Sequence, residues 1–200
     1  MRFSFTGAAL AALATPALVL AQPADPARAT IQSLCDGLIA TMKAGKKAGA
    51  KGRAAAIAPV LDHSFDLALM ARLSVGTSWA GMTPTQQQAV TAAFRRMTIA
   101  QYAKNFDNFS GQSFTIAPQV EARGSDRLVR TTLNSPGDAP VAIAYRLRQT
   151  GGGWRVIDIF YRNAVSQIAT RRADFAQTLQ KGGANALIAR LNQIAAEAGG

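Results

Sequence analysis

The stretch Val141-Ala142-Ile143-Ala144-Tyr145-Arg146-Leu147-Arg148, then Gly151-Gly152-Gly153, then Trp154-Arg155-Val156-Ile157-Asp158-Ile159-Phe160-Tyr161 decides the fold. Its first part alternates. Val141, Ile143, Tyr145 and Leu147 fall on one face of a strand, and Ala142, Ala144, Arg146 and Arg148 on the other, which the arginines mark as the wetter side. The three glycines make a turn between strands, since a phosphate-cradling loop would lead into a helix instead. The strand from Trp154 to Tyr161 is apolar on both faces, as expected of a strand covered on both sides. Working upstream, Phe114, Ile116 and Val120 alternate with polar neighbours, a further strand covers about Arg127 to Leu133, and Asn134-Ser135-Pro136-Gly137-Asp138 is a turn. Four strands joined this tightly predict an antiparallel meander.

On both sides of this block the apolar period changes from 2 to 3.6. Ile31, Leu34, Cys35, Leu38, Ile39 and Met42 form one stripe of a helix from about Ala29 to Met42. The segment Lys43 to Arg53 is rich in lysine and glycine and is expected to be a mobile, solvated linker. Short helices follow at about Ala54 to Leu61 and Phe65 to Leu73. Thr83-Pro84-Thr85-Gln86 opens a long helix, with Thr83 as cap, Pro84 at the first helical position and Gln86 closing a capping box. Val90, Ala93, Phe94 and Met97 lie on one side of that helix and Ile99, Tyr102 and Phe106 on another, so it is sandwiched. From Ser166 the chain is helical again, stops at Gly182-Gly183, and ends in a helix carrying Leu187, Ile188, Leu191 and Ile194. The class is therefore α+β: helices packed on a curved four-stranded antiparallel sheet around an apolar cavity.

The N-terminus reads as a secretory signal peptide over residues 1–21. Arg2 supplies the charge, Gly7 to Leu20 the apolar run, and Val19-Leu20-Ala21 the small-residue cleavage site. Residues 22–200 then form a single domain. The chain has 22 basic and 11 acidic side chains; losing Arg2 leaves a net charge of +10. Export removes nucleic acid as a partner. The counter-ions expected instead are an anionic membrane surface, touched transiently, or an acidic docking surface.

Side chains for covalent or metal chemistry are sparse. There is one histidine, His63, and one cysteine, Cys35, so neither a zinc site nor an internal disulfide is expected. Cys35 falls on the buried stripe of the first helix, and His63 just before an apolar helix. Gly76-Thr77-Ser78-Trp79-Ala80 lacks the last glycine and the preceding strand of a nucleophile elbow. Asp158 lies inside an apolar strand, which is costly without a partner; Arg171 or Arg172 is expected to pair with it. No cofactor and no enzymatic activity are expected.

The order Phe65-Asp66, Met70-Ala71-Arg72, Gly76-Thr77-Ser78-Trp79, the capped helix with Phe94 and Tyr102, Trp154 to Asp158, Val165-Ser166, Arg172-Ala173-Asp174-Phe175, Leu179 and Gly182-Gly183 resembles the MlaC family, also called toluene-tolerance auxiliary components. The stretch from Arg172 to Ile188 is similar to its hopanoid-biosynthesis-associated, HpnM-like branch. The resemblance implies a periplasmic lipid-binding protein that exchanges phospholipid, or a hopanoid, between an outer-membrane lipoprotein complex and an inner-membrane ABC transporter complex. One departure is visible. Asn163-Ala164 stands where the family usually has an acidic or polar residue and then glycine, so the turn after the last strand is expected to differ.

A carrier needs no catalytic group, but it must keep hydrocarbon dry. Each exposed CH₂ costs about 0.8 kcal/mol, so a two-chain lipid of about 30 such groups would cost roughly 24 kcal/mol to move unaided. The expected lining of the cavity is Phe94, Met97, Tyr102, Phe114, Ile116, Val141, Ile143, Tyr145 and Phe160. The alternatives are a non-lipid docking module of a transport complex and an envelope enzyme depending on Asp158 or His63.

Overall fold

The structure, a computed structural model, describes residues 25–199. The expected signal peptide and its cleavage site lie outside these residues. Helices α1 (Pro26–Ala44), α2 (Gly49–Ser64), α3 (Leu67–Val75) and α4 (Pro84–Asn105) come first. Strands β1 (Ser113–Arg123), β2 (Asp126–Asn134), β3 (Val141–Thr150), β4 (Gly153–Tyr161) and β5 (Val165–Ser166) follow, and α5 (Gln167–Gly199) closes the chain. The class is α+β, as the change of period predicts. Among the described residues no helix is long and apolar enough to cross a membrane.

The sheet is an antiparallel meander in the order β1-β2-β3-β4-β5, five strands where four are expected. The added strand is two residues long. It exists because Tyr161-Arg162-Asn163-Ala164 closes a tight turn, with the Ala164 amide donating to the Tyr161 carbonyl at 3.2 Å. Arg162 and Asn163 take φ of 51° and 58°, the left-handed pair of a hairpin turn that matches strand twist. Asn163 tolerates this conformation well; Arg162 tolerates it less readily and places its guanidinium over the Tyr161 ring, 5.6 Å from its centre.

Two bulges set which side chains face the helices. In β1 the register slips between Ile116 and Val120, around Pro118, which has no N–H to give the ladder. In β4 the slip falls between Val156, opposite Leu147, and Asp158, opposite Arg146. Ile157 is the extra residue, so Val156 and Ile157 are both buried without strict alternation. The double-sided apolar look of β4 therefore records a bulge.

The core lies between the helices and the sheet side carrying Val129, Tyr145, Leu147 and Val156. Helix α1 buries Ile31, Leu34, Cys35 and Leu38 against it, the stripe the spacing predicts. The capping box of α4 forms as expected: Gln86 N–H donates to Thr83 Oγ1, and Thr83 N–H to Gln86 Oε1 at 2.9 Å. Gly182 and Gly183 break α5 with non-helical backbone.

The Lys43 to Arg53 segment is ordered helix and turn, not a solvated linker. A single 3₁₀ turn covers Lys46–Ala48, α2 begins at Gly49, and Arg53 is buried. Its guanidinium donates to the carbonyl of Ala103 at 2.8 Å and of Gly45 at 3.0 Å. These are carbonyls at or just beyond the C-terminal ends of α4 and α1, where orphan acceptors attract cations.

Asp158 is also satisfied differently from the expected arginine pair. It accepts from its neighbour Ile159 N–H at 2.7 Å, from the Ser166 hydroxyl at 2.6 Å and from Ile168 N–H at 3.1 Å. It holds β4, β5 and the start of α5 together. Arg172 instead donates to the Leu73 carbonyl at 2.9 Å.

Candidate functional site

The side chains that face the helices from the far ends of β2, β3 and β4 leave a cleft of about 560 Å³ between the sheet and α4 and α5. The ladder explains why they gather there. Leu133 is paired with Val141, Ile143 with Tyr161, and Tyr145 with Ile159, and paired residues in a sheet share a face. Leu38 of α1, Phe65 and Met70 close the apolar end. Tyr102 stands edge-on to Phe65 at 5.7 Å and stacks on Phe106 at 5.6 Å. Burial pushes the Tyr102 and Tyr145 phenols well above the ordinary tyrosine range, so both remain neutral.

The opposite wall is polar. Thr98, Gln101 and Asn105 project from one face of α4, and Gln167 and Arg171 lie one turn apart on α5. Arg171 reaches across to α4, donating to Gln101 Oε1 at 3.1 Å and approaching Met97 Sδ at 3.6 Å, with its guanidinium 5.2 Å from the centre of the Phe94 ring. Burial lowers the pKa of this guanidinium. Tyr161, at one margin of the cleft, is exposed, as is Val165, its partner in β5.

Of the nine expected lining residues, Tyr102, Val141, Ile143 and Tyr145 line this cleft. Phe94 and Met97 lie behind its wall, each 1% exposed; Phe94 packs edge-on against Phe175. Phe114 and Ile116 share the cleft's sheet face through their pairing with Leu133 and Thr131, but pack against the core beside it. Phe160 is set apart. It pairs with Ala144 on the other side of the sheet and lines a second groove with Arg123, Arg130 and Arg146. The β4 bulge reverses the phase that an unbroken strand would have. The residue of β4 that lines the cleft beside Tyr161 is Ile159, which a strand read as apolar on both faces did not single out. Gln101 and Thr98 carried no sequence signal, because polar residues on a helix read as its solvated face, and Arg171 stood out only as a candidate partner for Asp158.

A larger depression of about 810 Å³ lies between α3, the start of α4 and the β3–β4 turn. It is open, and its charged groups already have partners: Arg95 pairs with Asp62, Asp66 accepts from the Leu69 amide at 2.9 Å, and Arg155 donates to the Asp62 and His63 carbonyls at 2.6 Å. The smaller cleft is the better candidate site, because one wall is made of aliphatic and tyrosine side chains and the other holds unspent donors. Cys35 is buried in the core beneath, where desolvation, aided by Asp36, pushes its thiol up to about 12. A thiol held that far above its ordinary value is no nucleophile at neutral pH.

Comparison with known proteins agrees with this architecture. A family model described as MlaC protein matches residues 32–193. A solved structure described as the phospholipid-binding protein from Ralstonia solanacearum in complex with a phospholipid is similar, with a TM-score of 0.75 and 26% identity. The match covers 86% of this chain and 98% of that one. A family match spanning α1 to the last turns of α5, over a sheet and helix order that a solved relative shares almost from end to end, places this chain in the MlaC family.

Proposed function

We propose that this protein is a periplasmic phospholipid carrier that takes acyl chains into the cleft between the sheet and α4–α5 and performs no covalent chemistry on them. The observation that carries the reading is the cleft's apolar wall: Leu133, Val141, Ile143, Tyr145, Ile159 and Tyr161 share one sheet face through strand pairing and line the cleft together. Its volume of about 560 Å³ falls within the range of roughly 300–1,000 Å³ typical of ligand pockets. The phospholipid held by the Ralstonia solanacearum relative supports the same class of cargo.

In this reading the carrier exchanges lipid between an outer-membrane lipoprotein complex and an inner-membrane ABC transporter complex, which family membership supports. Phospholipid is the assigned cargo, and a hopanoid is the alternative within the same chemistry. Native mass spectrometry of the purified protein, followed by solvent extraction, tests the reading. Adducts that extract as phospholipid are expected. A bare mass under gentle conditions, with no lipid taken up from vesicles, contradicts the carrier and favours a docking module.

A further inference from the structure

We propose that Arg171, assisted by Gln101 and Thr98, is an anion anchor inside the cleft that selects lipids bearing a phosphate over uncharged ones. The proposal rests on the carrier reading and deepens it by naming the part of the cargo that decides affinity. A cleft that only sheltered hydrocarbon would gain nothing from a guanidinium in its wall: Arg171 is half-buried, and a cation that gives up part of its hydration without a counter-charge is disfavoured.

The arginine that is most buried among the described residues, Arg53, is spent on two helix-end carbonyls, and the partly exposed Arg146 and Arg148 share Asp126 at 2.6 and 2.8 Å. Arg171 forms no ion pair among the described residues. Asp174 acts on it only through its field, and its direct contacts are a neutral amide, a thioether and an aromatic face. A guanidinium carries five N–H donors, and only Gln101 and the weak sulfur acceptor engage them. Thr98 is a second polar group of the cleft with hydrogen-bonding capacity to spare, and unlike the unpartnered hydroxyls of Ser64 and Ser74 it belongs to the cleft lining. It is 2% exposed, and its hydroxyl has no partner.

A phosphate diester supplies what both groups lack. Its two free oxygens match the guanidinium fork, one negative charge neutralises it, and a remaining lone pair can accept from a hydroxyl. The sheet wall would then take the acyl chains while α4 and α5 hold the phosphate. An uncharged lipid would offer Arg171 no counter-charge.

The test is a competition for loading. Protein stripped of lipid is incubated with phosphatidylglycerol vesicles containing a minor fraction of diacylglycerol with the same chains. It is then re-isolated and extracted, and the ratio of the two lipids on the protein is normalised to that of the vesicle. The wild type should be enriched in phosphatidylglycerol roughly tenfold or more, the scale of a charge-assisted hydrogen bond. Arg171→Met should bring the ratio near one, and Arg171→Lys, which keeps charge but not the fork, should fall between. Thr98→Val should lower the enrichment partly while leaving the melting temperature unchanged or higher, since an orphan hydroxyl is removed.

A wild-type ratio near one with lipid present overturns the anchor and leaves the carrier intact. A wild type that loads neither lipid overturns the carrier reading instead. Enrichment unchanged in Arg171→Met also overturns the anchor. Should that variant not fold, unchanged enrichment in both Arg171→Lys and Thr98→Val overturns the anchor in its place.

Discussion

A carboxylate survives burial only where donors surround it, and Asp126 and Asp158 find theirs in different places. Asp126 is 1% exposed on the sheet side away from the helices, where Arg146 and Arg148 converge on it from β3. The hydrogen bond from Arg148, then that from Arg146, holds its carboxyl below the ordinary aspartate range. A depressed pKa stabilises the fold above the unfolded value, near pH 4, and that contribution is lost as the pH falls through the folded value. Asp126→Asn should therefore cost about 1–2 kcal/mol at pH 7, the arginines being partly exposed. Its deficit against wild type should shrink below about pH 4. Urea melts of both proteins across pH 2.5 to 7 check this, and a deficit independent of pH contradicts it. Residues of this kind were the least legible in the sequence. Charge counting supplied Asp158 with arginine candidates, but its actual partners, Ser166 and two backbone amides, depend on a tight turn and a bulge that no local pattern announces. Arg171 was visible only as a spare cation for Asp158, whereas its environment is made by α4, some 70 residues away.

At the scale of elements, periodicity and capping chemistry carried well where each segment decides its own state. Thr83-Pro84-Thr85-Gln86 starts α4 because the two reciprocal bonds of the box need only four residues. Thr83→Ala should cost about 1 kcal/mol, a typical N-cap loss, read as a lower melting temperature with the fold otherwise kept. No change would mean that packing against α5 and α2, and not the cap, sets where α4 begins. The alternation of β3 likewise holds: Val141, Ile143 and Tyr145 line the cleft, while Ala144 and Arg146 line the other groove. The failures came where a distant partner overrides composition. Lysine and glycine between Lys43 and Arg53 read as a linker, yet Arg53 locks the segment onto the ends of α1 and α4. Apolar residues on both faces of β4 read as double coverage, yet Ile157 is a bulge and Phe160 opens onto the arginine-lined side.

For the whole molecule, the α+β class, the meander and the helix order were legible because each follows from short-range pattern and tight turns. The cleft was only half legible. Its sheet wall is written in alternation, but its polar wall arises where α4 packs along α5, and that packing brings Thr98, Gln101 and Arg171 to the apolar face. The central claim is that the sheet wall holds acyl chains, and one strand tests it. Ile143 lines the cleft and is half-buried, so a carboxylate placed there can reach water at the open side. Ala142 is half-buried on the opposite face, and it is a sounder control than Ala144, which is almost fully covered. The measurement is lipid content per protein, by extraction after exposure to phospholipid vesicles, for Ile143→Glu and Ala142→Glu, with a thermal melt of each. The account predicts that both fold, that Ala142→Glu keeps its lipid and that Ile143→Glu loses it. A folded Ile143→Glu protein with its full complement of lipid, or one whose fold collapses as an unpaired charge in a filled core requires, would contradict it.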